Sequence, residues 1–226
     1  RSVETLPVRG GAGVEIELVS TDLGPLHPAD PERGVPARSL RWTGHLEADP
    51  LSAFIHLARV ETVAEIPAGI DRYVAPAQNL VAADRHGGLL YTALGRLPAR
   101  RRGDGRLPVP GWDPSYGWDG LELRERNPLV LDPPDGLLIT ANHDIRPDGY
   151  PTPLTAEFDL PARADRIREL LGDRADWRRE ELAGVQTDVV SPYARRLFAG
   201  AAGEYGGAAA RAWAALDAWD GGMRIE

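Results

Sequence analysis

The sequence predicts an α+β protein with antiparallel sheets, in which a β-rich part (residues 1–150) precedes a mainly helical part (residues 151–226). Apolar and polar residues alternate from 14 to 20, which is the period of a half-buried strand. Two apolar runs, 80–83 and 89–92, flank a turn that contains Gly87 and Gly88, as in a β-hairpin. Residues after 160 form several helical patterns instead, and this change of pattern sets the fold class.

The elements before residue 135 follow from local signals. A second strand is predicted at 39–43. A helix begins at Asp49-Pro50, because Asp caps helices and Pro suits their first turn; its apolar face is Leu51, Phe54, Ile55 and Ala58. A shorter helix at 60–66 is expected to end before Pro67. The segment 98–135 is rich in Gly, Pro and Trp, and a long ordered loop of this kind is often functional. Within it, Trp112 is expected to anchor the loop 103–112.

The segment 135–142 carries the first functional hypothesis. The apolar run 137–139 follows a Pro-Pro-Asp-Gly turn and predicts a short buried strand that ends at Asn142. A carboxamide held at the end of a strand can aim a fixed N–H donor at an oxyanion, as acyl-transfer enzymes require. An asparagine that only closes a turn is the simpler interpretation of this segment alone. Helices are predicted further on, at 163–171, 176–188, 192–198 and 208–219.

Composition excludes several classes of function. The chain has 226 residues, 42% hydrophobic and 27% charged, a balance typical of globular domains. A net charge of −8 argues against nucleic acid as a partner. The absence of cysteine excludes disulfides, thiol nucleophiles and zinc–thiolate sites, and the absence of lysine excludes Schiff-base chemistry. No membrane span and no signal peptide are expected from the hydropathy pattern.

Catalytic motifs are incomplete. The five histidines lack the spacing of a helix-borne metal site, and no serine stands in a Gly-x-Ser-x-Gly elbow. Several aspartates crowd the segment 104–135, where loop carboxylates could hold calcium, although the EF-hand spacing is absent. The chain by itself therefore shows no complete catalytic machinery.

A series of short motifs in one order nevertheless resembles a known family. These motifs are 78–84 (QNLVAAD), 88–91 (GLLY), 95–100 (GRLPAR), 103–105 (GDG), 108–111 (PVPG), 118–120 (WDG), Asn127-Pro128 and 136–142 (GLLITAN). Together they resemble the middle part of the β-subunit of the penicillin acylase (penicillin amidase) family of N-terminal nucleophile hydrolases. The flanking segments agree in order, except that Leu23 stands where the family has a histidine.

The resemblance implies a fold and an activity. The fold would be part of the αββα sandwich of N-terminal nucleophile hydrolases, followed by a helical excursion. The activity would be hydrolysis of the amide between an acyl group and an amine, in a β-lactam, an acyl-homoserine lactone or a lipopeptide. The nucleophile would be an N-terminal serine that this chain lacks, so we expect a fragment that is inactive alone. Expected partners are the remaining α- and β-subunit segments of the precursor and a small amide substrate.

The resemblance also implies site residues. Asn142 would complete the oxyanion hole, with Arg166 supporting the catalytic surroundings, and Trp42 and Gln78 would line the acyl pocket. No cofactor would be required, and the backbone carbonyl of Gly105 would bind a structural calcium ion. The compartment would be the periplasm or the extracellular space.

A different class of function is also compatible with the residues. Trp42, Trp112 and Trp118 could form an aromatic platform in a non-catalytic ligand- or carbohydrate-binding module. A platform would leave these side chains exposed on one face. The acylase interpretation instead places Trp42 in a pocket and packs the other two.

Overall fold

The computed structural model describes residues 1–147, 149–155, 157–201, 203 and 205–224. Its contacts divide the chain into two compact units. The first comprises Arg1–Leu138 and Pro147–Ala156, and the second comprises Ile139–Arg146 and Glu157–Glu226. No helix in the described ranges is long and apolar enough to cross a membrane.

The first unit is built from small antiparallel sheets. A two-stranded ribbon joins β1 (Ser2–Leu6) to β2 (Val14–Leu18), and three short strands, β3 (Ser20–Thr21), β4 (Gly24–His27) and β5 (Arg38–Ser39), form a second sheet. The third sheet has the order β10-β7-β6, with β6 at Gln78–Ala83, β7 at Leu89–Leu94 and β10 at Leu129–Leu131. The fourth pairs β8 (Pro98–Arg100) with β9 (Trp118–Leu121).

The core of this unit lies where two helices meet the third sheet. The helices are α1 (Pro50–Leu57) and α2 (Ile66–Gly69), the second preceded by a 3₁₀ turn at Val63–Glu65. The core cluster consists of Ala53, Val63, Ile66, Ile70, Tyr73, Leu90 and Leu94. The Asp84 carboxylate accepts hydrogen bonds from the backbone N–H groups of Val63, His86 and Gly88, which ties the hairpin turn to the 3₁₀ turn.

The hairpin prediction is confirmed, because residues 78–83 of β6 pair with residues 94–89 of β7. The capping prediction for α1 is confirmed too, since the Asp49 carboxylate accepts a hydrogen bond from Ser52 N at 3.0 Å. The predicted apolar face of α1 is wrong: Leu51, Phe54 and Ile55 are exposed, and Ala53 is the residue that enters the core. Hydrophobic spacing identified the helix but not the side that packs.

Three other predictions in this unit are only partly correct. The strand predicted at 14–20 forms as β2, but it is shorter and fully exposed, because β1, its one partner in the described chain, leaves both faces uncovered. The strand 39–43 is reduced to β5, and a 3₁₀ turn at Thr43–His45 follows instead. The helix 60–66 does not end before Pro67, which lies in the first turn of α2, where a missing N–H costs no hydrogen bond.

The segment 98–135 contains more regular structure than expected, namely β8, β9, β10 and two 3₁₀ turns, at Pro114–Tyr116 and Arg124–Arg126. Trp112 does not anchor the loop, because its side chain is 88% exposed. The packing expected of Trp112 is therefore not observed within the described chain, whereas Trp118 is half-buried and Trp42, expected in a pocket, is 50% exposed.

The second unit is helical, as predicted, with α3 (Ala162–Leu171), α4 (Arg179–Gln186), α5 (Pro192–Gly200) and α6 (Gly207–Asp217). Ser191 caps α5 by accepting a hydrogen bond from Ala194 N at 3.3 Å. Helices α3 and α5 are joined by the Arg196–Asp165 ion pair at 2.6 Å.

The predicted buried strand over 137–142 does not form. Residues 137–140 are half-buried but lie outside every sheet of the described chain, and Asn142 is exposed. A strand needs a neighbour for its backbone N–H and C=O groups. No described residue provides such a ladder here, so the apolar run remains irregular.

Candidate functional site

A cluster of polar contacts in the second unit surrounds Asn142. Its backbone has a φ of 62°, in the left-handed region that asparagine tolerates better than most residues. Its carbonyl oxygen accepts a hydrogen bond from Asp159 N at 2.8 Å. The local backbone is thus fixed by a turn conformation and a hydrogen bond from a distant residue.

The side chain of Asn142 is held by Arg163, near the start of α3. One terminal nitrogen of Arg163 lies 2.7 Å from Asn142 Oδ1, 2.8 Å from the carbonyl oxygen of Ala141 and 2.7 Å from Asp159 Oδ2. That nitrogen carries two hydrogens but has three oxygen acceptors within reach, so at least one hydrogen is shared between two acceptors. Asp159 lies three residues before α3 and forms an ion pair with Arg163, which helps to hold the guanidinium at the carboxamide.

This arrangement has a direct chemical consequence. With Oδ1 bound to a guanidinium, the carboxamide cannot rotate without losing a charge-assisted hydrogen bond. Nδ2, the other end of the same carboxamide, is then held in a fixed orientation. No described residue accepts a hydrogen bond from Nδ2, and the residue is exposed. A fixed N–H donor without an acceptor of its own is what stabilisation of a developing oxyanion requires.

Arg166, one turn further along α3, has different partners. It forms a bidentate pair with Asp188, with distances of 2.9 Å from Nε and 2.8 Å from a terminal nitrogen, and it also binds Glu169 at 2.7 Å. Both side chains of the Arg166–Asp188 pair are only 16% exposed. Hydrogen bonds from Arg166 lower the pKa of Asp188. These contacts connect α3 to the segment after α4. The supporting role of Arg166 at Asn142 stays a prediction.

Trp42 and Gln78 belong to the first unit and are both exposed. The Trp42 ring contacts the His45 ring edge-on, with centroids 5.3 Å apart. Gln78 begins β6, opposite Leu94 of β7. Their assignment to an acyl pocket stays a prediction.

The surroundings of Gly105 carry positive charge. The Arg100 guanidinium lies against this glycine, with Nη2 2.8 Å from where a Cβ would stand. The neighbouring Asp104 carboxylate is bound to Arg106 at 2.5 Å. In the described part of the chain, no three His, Asp or Glu side chains gather as metal ligands. The binding of a calcium ion by the Gly105 carbonyl stays a prediction.

Sequence reasoning missed two residues of the Asn142 cluster, Asp159 and Arg163. Asp159 lies outside α3, so a helical i,i+4 pattern would not have identified this pair. What the sequence did not show was that the same guanidinium reaches back across 21 positions to Asn142.

Comparison with known proteins defines the class. The chain belongs to the penicillin amidase family, whose sequence model matches residues 1–226. The resemblance inferred from the ordered motifs is therefore confirmed.

Individual relatives are acylases, so the family is enzymatic. The chain is 34% identical over 197 residues to the penicillin acylase 2 proenzyme of Pseudomonas sp. strain SE83, covering 87% of this chain and 25% of that protein. It is 36% identical over 147 residues to the acyl-homoserine lactone acylase QuiP of Pseudomonas fluorescens strain Pf0-1, covering 65% of this chain and 18% of that protein. The chain thus spans about a quarter or less of the length of these relatives.

A solved structure shows the same fold. The thermostable penicillin G acylase from Alcaligenes faecalis matches the whole chain with a TM-score of 0.72 and 21% identity, and the match covers 42% of that protein's chain. The mixed α and β architecture with antiparallel sheets agrees with the predicted fold class.

Proposed function

We propose that this chain is part of an acylase that hydrolyses the amide between an acyl group and an amine, and that Asn142 supplies an oxyanion-hole donor. The observation that carries the proposal is the carboxamide held at Oδ1 by Arg163, with Nδ2 left available. The names of the relatives support substrates of the penicillin or acyl-homoserine lactone type, and a lipopeptide is a further candidate from the family resemblance.

In this proposal, the chain contributes transition-state stabilisation and not the nucleophile. The nucleophile is an N-terminal serine from another part of the precursor, with its free α-amine as general base. As the serine oxygen adds to the amide carbon, the carbonyl oxygen becomes negative, and Asn142 Nδ2–H donates to it. The partners are the remaining α- and β-subunit segments, the enzyme is periplasmic or secreted, and this chain alone is inactive.

The test uses the full-length, processed enzyme that contains this chain. We expect Asn142→Ala to lower kcat by about 10²–10³-fold, the cost of one oxyanion-hole donor, with little change in KM. Chromogenic phenylacetyl and long-chain acyl amides report both constants.

A matched variant separates donation from structure. Asn142→Asp has nearly the same shape and keeps an acceptor for Arg163, but it lacks the N–H donor. If donation matters, Asn142→Asp is as impaired as Asn142→Ala. An aspartate variant with normal kcat would show that residue 142 only orders the chain around α3.

A further inference from the structure

Three arginine side chains of the first unit lie over aromatic rings and form no ion pair with a described residue. The Arg41 guanidinium lies over the Trp118 ring at 4.6 Å, Arg100 approaches the same ring at 5.8 Å, and Arg102 lies over the Tyr116 ring at 5.0 Å. We call Arg41, Arg100 and Arg102 the guanidinium cluster. Stacking uses the flat face of a guanidinium and leaves the N–H groups on its edge available.

The sheet explains why these groups lie together. Arg100 of β8 pairs with Trp118 of β9, and Arg101 N donates to Gly117 O at 3.0 Å. The two backbone segments therefore stay side by side beyond Arg100, the last residue of β8. This continuation brings Arg102 next to Tyr116, two positions along from the Arg100–Trp118 pair.

The nearby carboxylates form their hydrogen bonds with other residues, although the pKa of Asp113 is lowered by the hydrogen bond from Ser115 and also by the charge of Arg102. Asp119 binds Arg101 at 2.7 Å, Asp104 binds Arg106 at 2.5 Å, and Asp113 accepts from Ser115 N at 2.9 Å. No described residue forms a hydrogen bond or an ion pair with a member of the guanidinium cluster. Burial lowers the pKa of Arg100, opposed by the charge of Asp104. Arg100 is half-buried, whereas Arg41 and Arg102 are exposed and accessible to a binding partner.

The local charge contrasts with that of the whole chain. Five arginines and one aspartate occupy residues 96–106, whereas the chain as a whole carries −8. We propose that the guanidinium cluster is a docking surface for an acidic polypeptide segment, whose carboxylates bind the edges of the stacked guanidinium groups. This inference is independent of the catalytic role of Asn142.

The spacing favours an extended segment over a small anion. Arg100 and Arg102 are two positions apart, and they lie over Trp118 and Tyr116, which are also two positions apart. Alternate side chains of an extended peptide share one face at the same spacing. A Glu-x-Glu pattern therefore matches the two arginines, and planar carboxylates suit guanidinium edges.

The experiment measures peptide binding to the full-length processed enzyme that contains this chain, by isothermal titration calorimetry at low ionic strength. One probe is a capped heptapeptide with glutamates at alternate positions separated by threonine. A second has the same composition with its three glutamates consecutive. We expect the alternating peptide to bind more tightly, and its log Kd to rise with log salt.

Variants locate the binding. We expect Arg41→Gln/Arg102→Gln to weaken binding of the alternating peptide by roughly tenfold and to flatten the salt dependence. The control Arg9→Gln/Arg59→Gln makes the same charge change at exposed positions of the same unit and should leave Kd unchanged. Arg41→Lys/Arg102→Lys keeps the charge but loses the planar fork, so an intermediate Kd is expected. Circular dichroism checks that each variant keeps the fold.

Several outcomes would overturn the proposal. They are no peptide binding by the folded enzyme, equal binding of both peptides, and equal loss in the control variant. Tighter binding of free phosphate or citrate than of the peptide would assign the cluster to small anions. Tighter binding of a single-stranded oligothymidylate of matched charge would assign it to nucleic acid.

Discussion

At the scale of single residues, the second unit shows how a donor can be fixed without a strand. Asn142 was expected at the end of a buried strand, where the sheet would hold it. Its orientation instead comes from its left-handed backbone, the hydrogen bond from Asp159 N and the Arg163 guanidinium on Oδ1. The proposed catalytic geometry therefore depends on one arginine more than on a sheet.

This dependence gives a prediction for Arg163 as a positioning residue. In the full-length processed enzyme, Arg163→Ala frees the Asn142 carboxamide to rotate, and kcat should fall by up to about 10²-fold while KM changes little. Arg163→Lys keeps a cation and should recover part of the loss. Steady-state kinetics on a chromogenic acyl amide measure both variants.

A double variant tests whether Arg163 acts through Asn142. Once Asn142 is alanine, Arg163→Ala has no carboxamide left to position, so the double variant should be no slower than Asn142→Ala alone. Additive losses would mean that Arg163 serves another purpose.

At the scale of elements, prediction succeeded where one local signal suffices. The hairpin 78–94 follows from two apolar runs around a glycine turn, and α5 follows from Ser191-Pro192, a cap and a first-turn proline. It failed where the packing partner decides. The apolar face of α1 points outward, and the run 137–139 has no strand beside it in the described chain. The Arg163–Asn142 contact was missed because it joins positions that are distant in sequence.

One element-scale contact gives a prediction about pH. Asp188 is paired with Arg166, whose hydrogen bonds lower the pKa of Asp188 below its ordinary value of 3.8. A carboxyl with a lowered folded-state pKa stabilises the fold at pH values above its unfolded pKa, and the stabilisation is lost as the pH falls through the folded pKa. Asp188→Asn should therefore lower the thermal unfolding midpoint at neutral pH.

The midpoint difference between the wild type and Asp188→Asn should persist down to about pH 5 and shrink below the ordinary pKa of an aspartate. Differential scanning calorimetry across this range measures it. The exposed Asp173→Asn is the control and should change the midpoint little at any pH. A difference that is constant with pH would mean that the ion pair is not its source.

At the scale of the whole molecule, more large apolar side chains of the described chain are exposed than buried. The ribbon β1–β2 is the clearest case, because Leu6 and Val14 are paired across it and share one face with Ile16 and Leu18. All four are at least 38% exposed. An uncovered face of this kind marks an interaction surface.

The last prediction concerns the behaviour of the chain in isolation. The exposed face of the β1–β2 ribbon should make the 226-residue chain bind a hydrophobic dye and associate as its concentration rises, because burying each aliphatic side chain gains about 1.5–3 kcal/mol. Ile16→Thr/Leu18→Thr should reduce both effects, since threonine keeps the strand preference but not the apolar surface. Val3→Thr/Val8→Thr removes apolar groups elsewhere on the ribbon and its turn and should reduce them less. Dye fluorescence and sedimentation velocity measure the two effects, and equal reduction by both pairs would show that this face is not the associating surface.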